Sequence, residues 1–322
     1  MYYIGVDLGG TNIAIGIVNE EGKILRKGSV PTKADREADE IIKDMAALAK
    51  KLCDDQGISV DEVEYAGIAT PGTADSVSGE VVYANNLPFL HYPLAKKLRE
   101  FLGVKKVLIE NDANAAAKGE VACGASKGHK NSVMITLGTG LGGGIVIDNK
   151  IYSGFNFSGA ELGHTVIEYN GRPCSCGRRG CWEAYSSATG LINMTKDKMK
   201  ECKDTIMWEM CGGKLENAGG RTAFDAMRKG DKAGKEVVDR YIAYLAAGTV
   251  NMINIFQPEV LVIGGGICNE KEYLTKPLQE IIDREQYSRN NPEDLKTKVR
   301  IAALGNDAGI IGAAMLGTQE EE

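Results

Sequence analysis

Residues 2–19 read YYIGVDLGGTNIAIGIVN, and this stretch decides the fold. β-branched and aromatic residues fill Tyr2–Asp7 and Ile13–Asn19, which predicts two strands joined by a glycine-rich turn. A third strand is predicted at 23–30, and apolar residues recur at helical spacing over 38–55. The chain therefore opens with a β-meander followed by an amphipathic helix.

The opening hairpin recurs in the second half of the chain. A strand is predicted at 132–137, a glycine-rich turn follows it, and a second strand is predicted at 144–148. Because the two hairpins agree in type and order, they indicate an internal duplication.

Strand and helix signals alternate along the rest of the chain. Further strands are predicted at 65–69, 106–110, 260–263 and 298–304, and further helices at 93–102, 113–122, 273–284 and 308–316, with a long apolar helix before Pro258. This order predicts an α/β fold. We place a smaller N-terminal domain at 1–114 plus 305–322, with the terminal helix packed back on it, and a larger C-terminal domain at 115–304.

Length and composition limit the function classes. A chain of 322 residues is long enough for two domains. The net charge of −6 disfavours a protein that neutralises nucleic-acid phosphates, so no nucleic-acid partner is expected. The apolar start has no basic region before it, and no stretch reaches the roughly 18 apolar residues of a membrane helix. We expect a cytoplasmic protein without a membrane partner.

Three strand ends carry glycine in a form suited to phosphate binding. They are Gly9 and Gly10 before Thr11, the turn around Thr139 and Gly140, and Gly264–Gly266. Glycine lets backbone N–H groups point at an anion, although it also simply permits tight hairpins, and both interpretations stay open here. The loop of classical NTPases, G-x-x-x-x-G-K-[ST], is absent from the sequence.

Asp7 favours the phosphate interpretation. It ends a buried strand beside the first glycine turn, where a carboxylate is costly to desolvate unless a cation neutralises it. Mg²⁺ is the usual cation of nucleoside triphosphates. The sequence therefore indicates a nucleotide held with Mg²⁺.

Asn111 and Asp112 follow the strand at 106–110 and precede the alanine-rich helix. Asp112 is either the N-cap of that helix or a general base that deprotonates an alcohol as it attacks a γ-phosphate. The local sequence favours the cap.

His164, Cys174, Cys176 and Cys181 have the spacing His-x9-Cys-x-Cys-x4-Cys. Three thiolates and one imidazole complete a tetrahedral structural zinc site, within a loop at about 164–181. The alternative is a disulfide between Cys174 and Cys181 with a spare thiol, which would leave His164 unexplained and suit an oxidising compartment.

Glu161 and Glu183 flank this cysteine loop. A metal-bound loop would fix both carboxylates relative to each other, and fixed acceptors suit the hydroxyl groups of a polyol. The alternative is that both glutamates are solvated surface residues.

The motifs taken together resemble one family. DLGGT at 7–11, END at 110–112, LGTGLGGG at 137–144, AELGH at 160–164, CSCGRRGCWE at 174–183 and VIGGG at 262–266 are similar, in order, to the ROK sugar kinases, and within them to the bacterial glucokinases. The resemblance implies an actin-like ATPase fold of two ribonuclease-H-like domains, with the active site in an interdomain cleft.

The resemblance also implies roles for individual residues. Asp112 would be the catalytic base. Sugar hydroxyls would be bound by residues near the turns and the cysteine loop: Gly72, Asn85, Asn111, Asp112, Glu161, His164 and Glu183. ATP phosphates and Mg²⁺ would be held by Asp7, Gly9, Gly10, Thr11, Thr139 and Gly140, with Gly265 and Gly266 beside the adenosine. His164 would serve zinc through one nitrogen and the sugar through the other.

Several alternatives remain within the resemblance. The expected reaction is ATP-dependent phosphorylation of the 6-hydroxyl of D-glucose, while N-acetylglucosamine, N-acetylmannosamine and fructose kinases share most motifs, and polyphosphate or ADP are alternative donors. Sugar-responsive repressors of the family carry a DNA-binding domain before the DLGGT strand, so we expect a kinase. Family members form dimers or tetramers, which implies a homo-oligomer.

Overall fold

A computed structural model describes residues 1–318 of the chain. The chain divides into two compact units. The first contains residues 1–134, 144–160 and the segment from 302 to the end of the described residues, and the second contains 135–143 and 161–301. Within residues 1–318, no helix has both the length and the apolar character needed to pass through a lipid bilayer.

Most predicted elements are present within a few residues of their expected ends. In residues 1–318 the strands are β1 (Tyr2–Leu8), β2 (Asn12–Asn19), β3 (Ile24–Pro31), β4 (Val63–Thr70), β5 (Thr73–Asp75), β6 (Glu80–Tyr83), β7 (Leu90–Tyr92), β8 (Val107–Asn111), β9 (Ser132–Leu137), β10 (Leu141–Ile147), β11 (Lys150–Ile151), β12 (Val260–Gly264) and β13 (Lys298–Ile301). The α-helices are α1 (Ala38–Gln56), α2 (Leu94–Leu102), α3 (Asp112–Cys123), α4 (Glu183–Ser186), α5 (Ala188–Glu201), α6 (Met207–Met210), α7 (Thr222–Arg228), α8 (Lys232–Phe256), α9 (Glu272–Glu285) and α10 (Ala308–Ala314).

The first unit is built on a five-stranded sheet with the order β3-β2-β1-β4-β8. β1 pairs antiparallel with β2 and parallel with β4. Side chains alternate between the two faces of β1, so Ile4 and Val6 pack in one core cluster with Ile41 of α1, while Tyr3 packs in another with Ile310 of α10. The expected packing of the terminal helix on the first part of the chain is confirmed.

Glycine lets α10 lie directly on the sheet. A methyl group at Gly5 of β1 would overlap the carbonyl of Ile310, and one at Gly67 of β4 would overlap the carbonyl of Ala313. The backbones of helix and strand therefore touch without an intervening side chain, and only glycine permits this distance.

A three-stranded sheet, β5-β6-β7, also belongs to the first unit, in a region where the sequence predicts no strand. Its strands are three to four residues long and separated by turns. Such short strands hold too few residues to display an alternating pattern.

The second five-stranded sheet has the order β11-β10-β9-β12-β13. Both predicted hairpins are thus present, as β1–β2 and as β9–β10. The long apolar helix is present as the 25-residue α8, and 13 of its residues are buried, so it buries part of its surface rather than all of it. The strand predicted at 298–304 is shorter, ending at Ile301, because the carboxylate of Glu120 accepts the backbone N–H groups of Ala303 and Leu304 and holds them out of the sheet.

Candidate functional site

The first glycine turn lies at the end of β1. Asp7 is half-buried there, and Gly9, Gly10 and Thr11 connect β1 to β2. Burial, together with a smaller effect of the negative charge of Asp112, raises the pKa of the Asp7 carboxyl to about 6. Asp7 and Asp112, at the ends of two different strands, are therefore close enough for the charge of one to affect the ionisation of the other.

The cap of α3 is Asn111, which corrects the interpretation of Asp112 as the N-cap. The side-chain oxygen of Asn111 accepts the N–H groups of Ala113 and Asn114 at 3.0 and 3.3 Å. Its backbone is extended, with φ −59° and ψ 145°, so the helix begins one residue later, at Asp112. Asp112 is thereby released from the capping role.

The Asp112 carboxylate is accessible to solvent, and the surrounding protein changes its pKa. The residue is exposed, and its Oδ1 accepts the N–H of Ala113 at 2.8 Å. The dense protein around the first turn of α3 raises the pKa of Asp112, against the hydrogen bonds from Ala113 and Asn111 that lower it. A carboxylate that is accessible and more basic than usual is suited to accept a proton.

Gly72 and Asn85 lie in the first unit, near Asn111 and the first glycine turn. The Nδ2 of Asn111 donates to the carbonyl of Gly72 at 3.1 Å, and Gly72 has φ +86°, a conformation that favours glycine. Asn85 is exposed in the turn between β6 and β7. Its neighbour Asn86 packs on the first glycine turn, because a Cβ built on Gly10 would lie 3.1 Å from the Cβ of Asn86.

The second glycine turn, 138–140, connects β9 to β10 in the second unit. Leu141 donates its N–H to Oε2 of Glu183 at 2.9 Å. The first turn of α5 also holds this segment, since Thr189 Oγ1 donates to the carbonyl of Thr139 at 2.7 Å. The structure therefore brings Thr139 and Gly140 together with Glu183.

The four residues with metal-ligand spacing converge on one point. The ligand atoms of His164, Cys174, Cys176 and Cys181 all lie within 4.8 Å of one another. Cys174 Sγ is 3.6 Å from Nδ1 of His164, and the sulfurs of Cys176 and Cys181 are 3.7 Å apart. A tetrahedron with metal–sulfur bonds of about 2.3 Å has edges of about 3.8 Å, so the donor set and its spacing fit a tetrahedral ion.

The remaining predicted residues also lie in the second unit. Glu161 is exposed and directly precedes the short helical turn Leu162–His164. Gly265 and Gly266 follow β12, and Gly265 has φ +92°. A side chain at Gly265 would overlap the backbone of Leu137, so the third glycine turn lies against the end of β9.

A cavity of about 660 Å³ opens beside the second glycine turn. It lies within the second unit and is lined by Thr139, Gly140, Glu183, Cys174, Thr189 and Lys196, among others. This volume lies in the range of small-molecule sites, and most of the residues that line the cavity have polar or charged side chains.

Two residues that hold the candidate site in place were not predicted from the sequence. Buried Thr32 donates through Oγ1 to the carbonyl of Gly9 at 2.6 Å. Buried Glu110 accepts the N–H of Asn111 at 2.9 Å and the Nδ2 of Asn114 at 3.1 Å. Glu110 could have been found from its position in the END motif, whereas no local signal marks Thr32.

Comparisons with known proteins agree with this arrangement. A family model described as ROK family matches residues 3–320. A glucokinase of Thermotoga maritima is 39% identical over 97% of this chain and 96% of that protein. A xylose repressor of Caldicellulosiruptor bescii is 27% identical over 96% of this chain and 76% of the repressor.

Comparison with solved structures indicates the same family. The crystal structure of a ROK family glucokinase from Streptomyces griseus, in complex with glucose and AMPPNP, is 34% identical and superimposes with a TM-score of 0.79 over 99% of this chain and 100% of that chain. Because the family match spans nearly the whole sequence and full-length relatives exceed 30% identity, the chain belongs to the ROK family and has the actin-like ATPase fold of its structural neighbours.

Proposed function

We propose that this chain is an ATP-dependent glucokinase, which transfers the γ-phosphoryl group of ATP to the 6-hydroxyl of D-glucose. The observation that carries the proposal is the Asp112 carboxylate, accessible at the start of α3 with a raised pKa. Full-length similarity to glucokinases and to a glucokinase structure with glucose and AMPPNP supports the choice of sugar and donor.

Asp112 is the general base of the proposed reaction. It accepts the proton of the sugar 6-hydroxyl while that oxygen forms a bond to the γ-phosphorus and the bond to the leaving ADP breaks. Asn111 binds a neighbouring sugar hydroxyl, and its capping bonds to Ala113 and Asn114 fix the backbone on which Asp112 is placed. The raised pKa favours the proton-accepting step.

The nucleotide phosphates are assigned to both glycine turns. Gly9, Gly10, Thr11, Thr139 and Gly140 supply backbone N–H and hydroxyl donors, and Gly265 and Gly266 border the adenosine. Asp7 would hold Mg²⁺, which would neutralise charge on the phosphates. The fit is supported by the half-buried Asp7 carboxylate, whose ionised form is costly without a cation beside it.

The sugar hydroxyls are assigned to Gly72, Asn85, Asn111, Glu161, His164 and Glu183. Zn²⁺ is assigned to His164, Cys174, Cys176 and Cys181, where it would fix the loop structurally. The Nδ1 of His164 faces Cys174, which leaves the other ring nitrogen for the sugar. We further assign the enzyme to the cytoplasm as a homo-oligomer, a dimer or tetramer, and keep the predicted domain limits of 1–114 plus 305–322 and 115–304.

The experiment is an ADP-release assay with Mg-ATP against glucose, N-acetylglucosamine, N-acetylmannosamine and fructose, for the wild type and Asp112→Asn. We expect preferential glucose turnover, with kcat reduced by about 10²–10⁴-fold in the variant and glucose binding retained. Preference for an N-acetylated sugar would replace the substrate and keep the base. Equal rates in the variant would refute the assignment of Asp112.

A further inference from the structure

Thr32, which directly follows β3, holds the first glycine turn from inside the first unit. Thr32 is 0% exposed. Its hydroxyl donates to the carbonyl of Gly9 at 2.6 Å, and its backbone N–H donates to the carbonyl of Thr11 at 2.8 Å. Both ends of the turn are thus bonded to one buried threonine.

Thr32 is itself held in place. Its carbonyl accepts the Nη2 of Arg36 at 2.9 Å, and the same guanidinium pairs with Asp44 of α1 at 2.8 Å. The N–H, the hydroxyl and the carbonyl of Thr32 therefore all have partners. A threonine fixed at three points can impose an orientation on the peptide groups bonded to it.

The geometry of the peptide bond carries this orientation to the phosphate side. The carbonyl of Gly9 and the N–H of Gly10 belong to one planar trans peptide group, in which they point in opposite directions. Because the Gly9 carbonyl is directed at the buried hydroxyl of Thr32, the Gly10 N–H is directed away from it. That direction suits an anion held at the glycine turn.

We propose that Thr32 is a positioning residue for the phosphoryl donor, setting the peptide plane between Gly9 and Gly10 so that the Gly10 N–H points at a donor phosphate. This inference rests on the proposed function, in which Gly9, Gly10 and Thr11 bind ATP phosphates. Without the hydroxyl the partly buried Gly9 carbonyl loses its partner, and the peptide rotates to find another.

The test compares Thr32→Val, which keeps the shape and removes the hydroxyl, with Thr32→Ser, which keeps the hydroxyl. Thr297→Val is the matched control, because Thr297 is also buried, at 3% exposed, and donates to the carbonyl of Pro258 at 2.7 Å in the second unit. The measurements are kcat, the KM values for Mg-ATP and glucose, and the direct affinity for Mg-ATP by calorimetry.

We expect Thr32→Val to lower kcat/KM for Mg-ATP and the Mg-ATP affinity by about 10- to 100-fold, with the glucose dissociation constant within about twofold of wild type. Thr32→Ser should restore nucleotide affinity to within about threefold, and Thr297→Val should leave it unchanged despite a similar loss of stability. Equal effects of Thr32→Val and Thr297→Val, or equal losses for sugar and nucleotide, would overturn the inference.

The affinity measurement separates this inference from the proposed function. A wild type that phosphorylates none of the four sugars but binds Mg-ATP more tightly than Thr32→Val refutes the kinase assignment and supports the role of Thr32. If Thr32→Val does not fold, the comparison of Thr32→Ser with Thr32→Ala gives the same contrast. A wild type without measurable Mg-ATP affinity overturns both.

Discussion

Replacing Asp7 by asparagine should stabilise the protein in a way that depends on pH. The pKa of Asp7 is raised from 3.8 to about 6 in the folded protein, mainly by burial. Between these values the native state binds more protons than the unfolded state, so the stability of the wild type falls as the pH rises through this window. The amide introduced by Asp7→Asn does not titrate, so the variant escapes this loss.

The size of the effect follows from the two pKa values. At pH 8 the ionised carboxylate lowers the free energy of unfolding by about 3 kcal/mol, and at pH 5, where native Asp7 is mostly protonated, by roughly 1–2 kcal/mol. The stability advantage of Asp7→Asn should therefore widen by roughly 1–2 kcal/mol from pH 5 to pH 8.

The assay is urea unfolding followed by far-UV circular dichroism, in buffer without added Mg²⁺ so that this cation does not shield Asp7. Both tryptophans, Trp182 and Trp208, lie in the second unit, so their fluorescence would not follow the unit that contains Asp7. Asp35→Asn, at an exposed position of the same unit, controls for the loss of a surface charge. A stability gap that stays constant from pH 5 to pH 8 would refute the reasoning.

Two further outcomes test other parts of the structure. Purified protein should retain about one zinc ion per chain after dialysis, measured by elemental analysis. Cys176→Ser should lose the ion and weaken glucose binding, whereas Cys202→Ser, outside the cluster, should do neither. Metal-free protein with full activity would contradict the zinc assignment. Gly67→Ala should lower the free energy of unfolding by about 1–3 kcal/mol or more, because the new methyl group meets the Ala313 carbonyl. Gly219→Ala is the control, because its methyl group meets no atom within 4 Å. Equal stability of the two variants in calorimetry would argue against the close packing of α10.

The local sequence pattern was sufficient to predict those helices and strands in which it repeats over several residues. The hairpins β1–β2 and β9–β10 and the helices α1 and α8 have long enough patterns to be recognised. The β5-β6-β7 sheet, the two-residue strand β11 and the helices α4, α5, α6 and α7 were missed. All of them except α5 are segments of two to seven residues, which show no clear period, whereas α5 was missed although it has 14 residues.

The N-cap of α3 could not be predicted from the sequence for a different reason. Asn111 and Asp112 are both favourable N-cap residues, so composition could not decide between them. The structure decides through the backbone, because Asn111 pairs with Thr70 in the parallel β4–β8 ladder and remains extended. Thr32 and Glu120 were missed for a related reason, since their partners, Gly9 and Ala303, lie 23 and 183 residues away.

The direct packing of α10 on β1 and β4 has a consequence for how the protein is made. The first unit needs residues 308–314 to cover the sheet face that bears Tyr3 and Tyr65, and these residues leave the ribosome roughly 300 positions after β1. At synthesis rates of about 5–20 residues per second, the nascent chain exposes that face for roughly 15–60 s. The unit that begins first is therefore completed last.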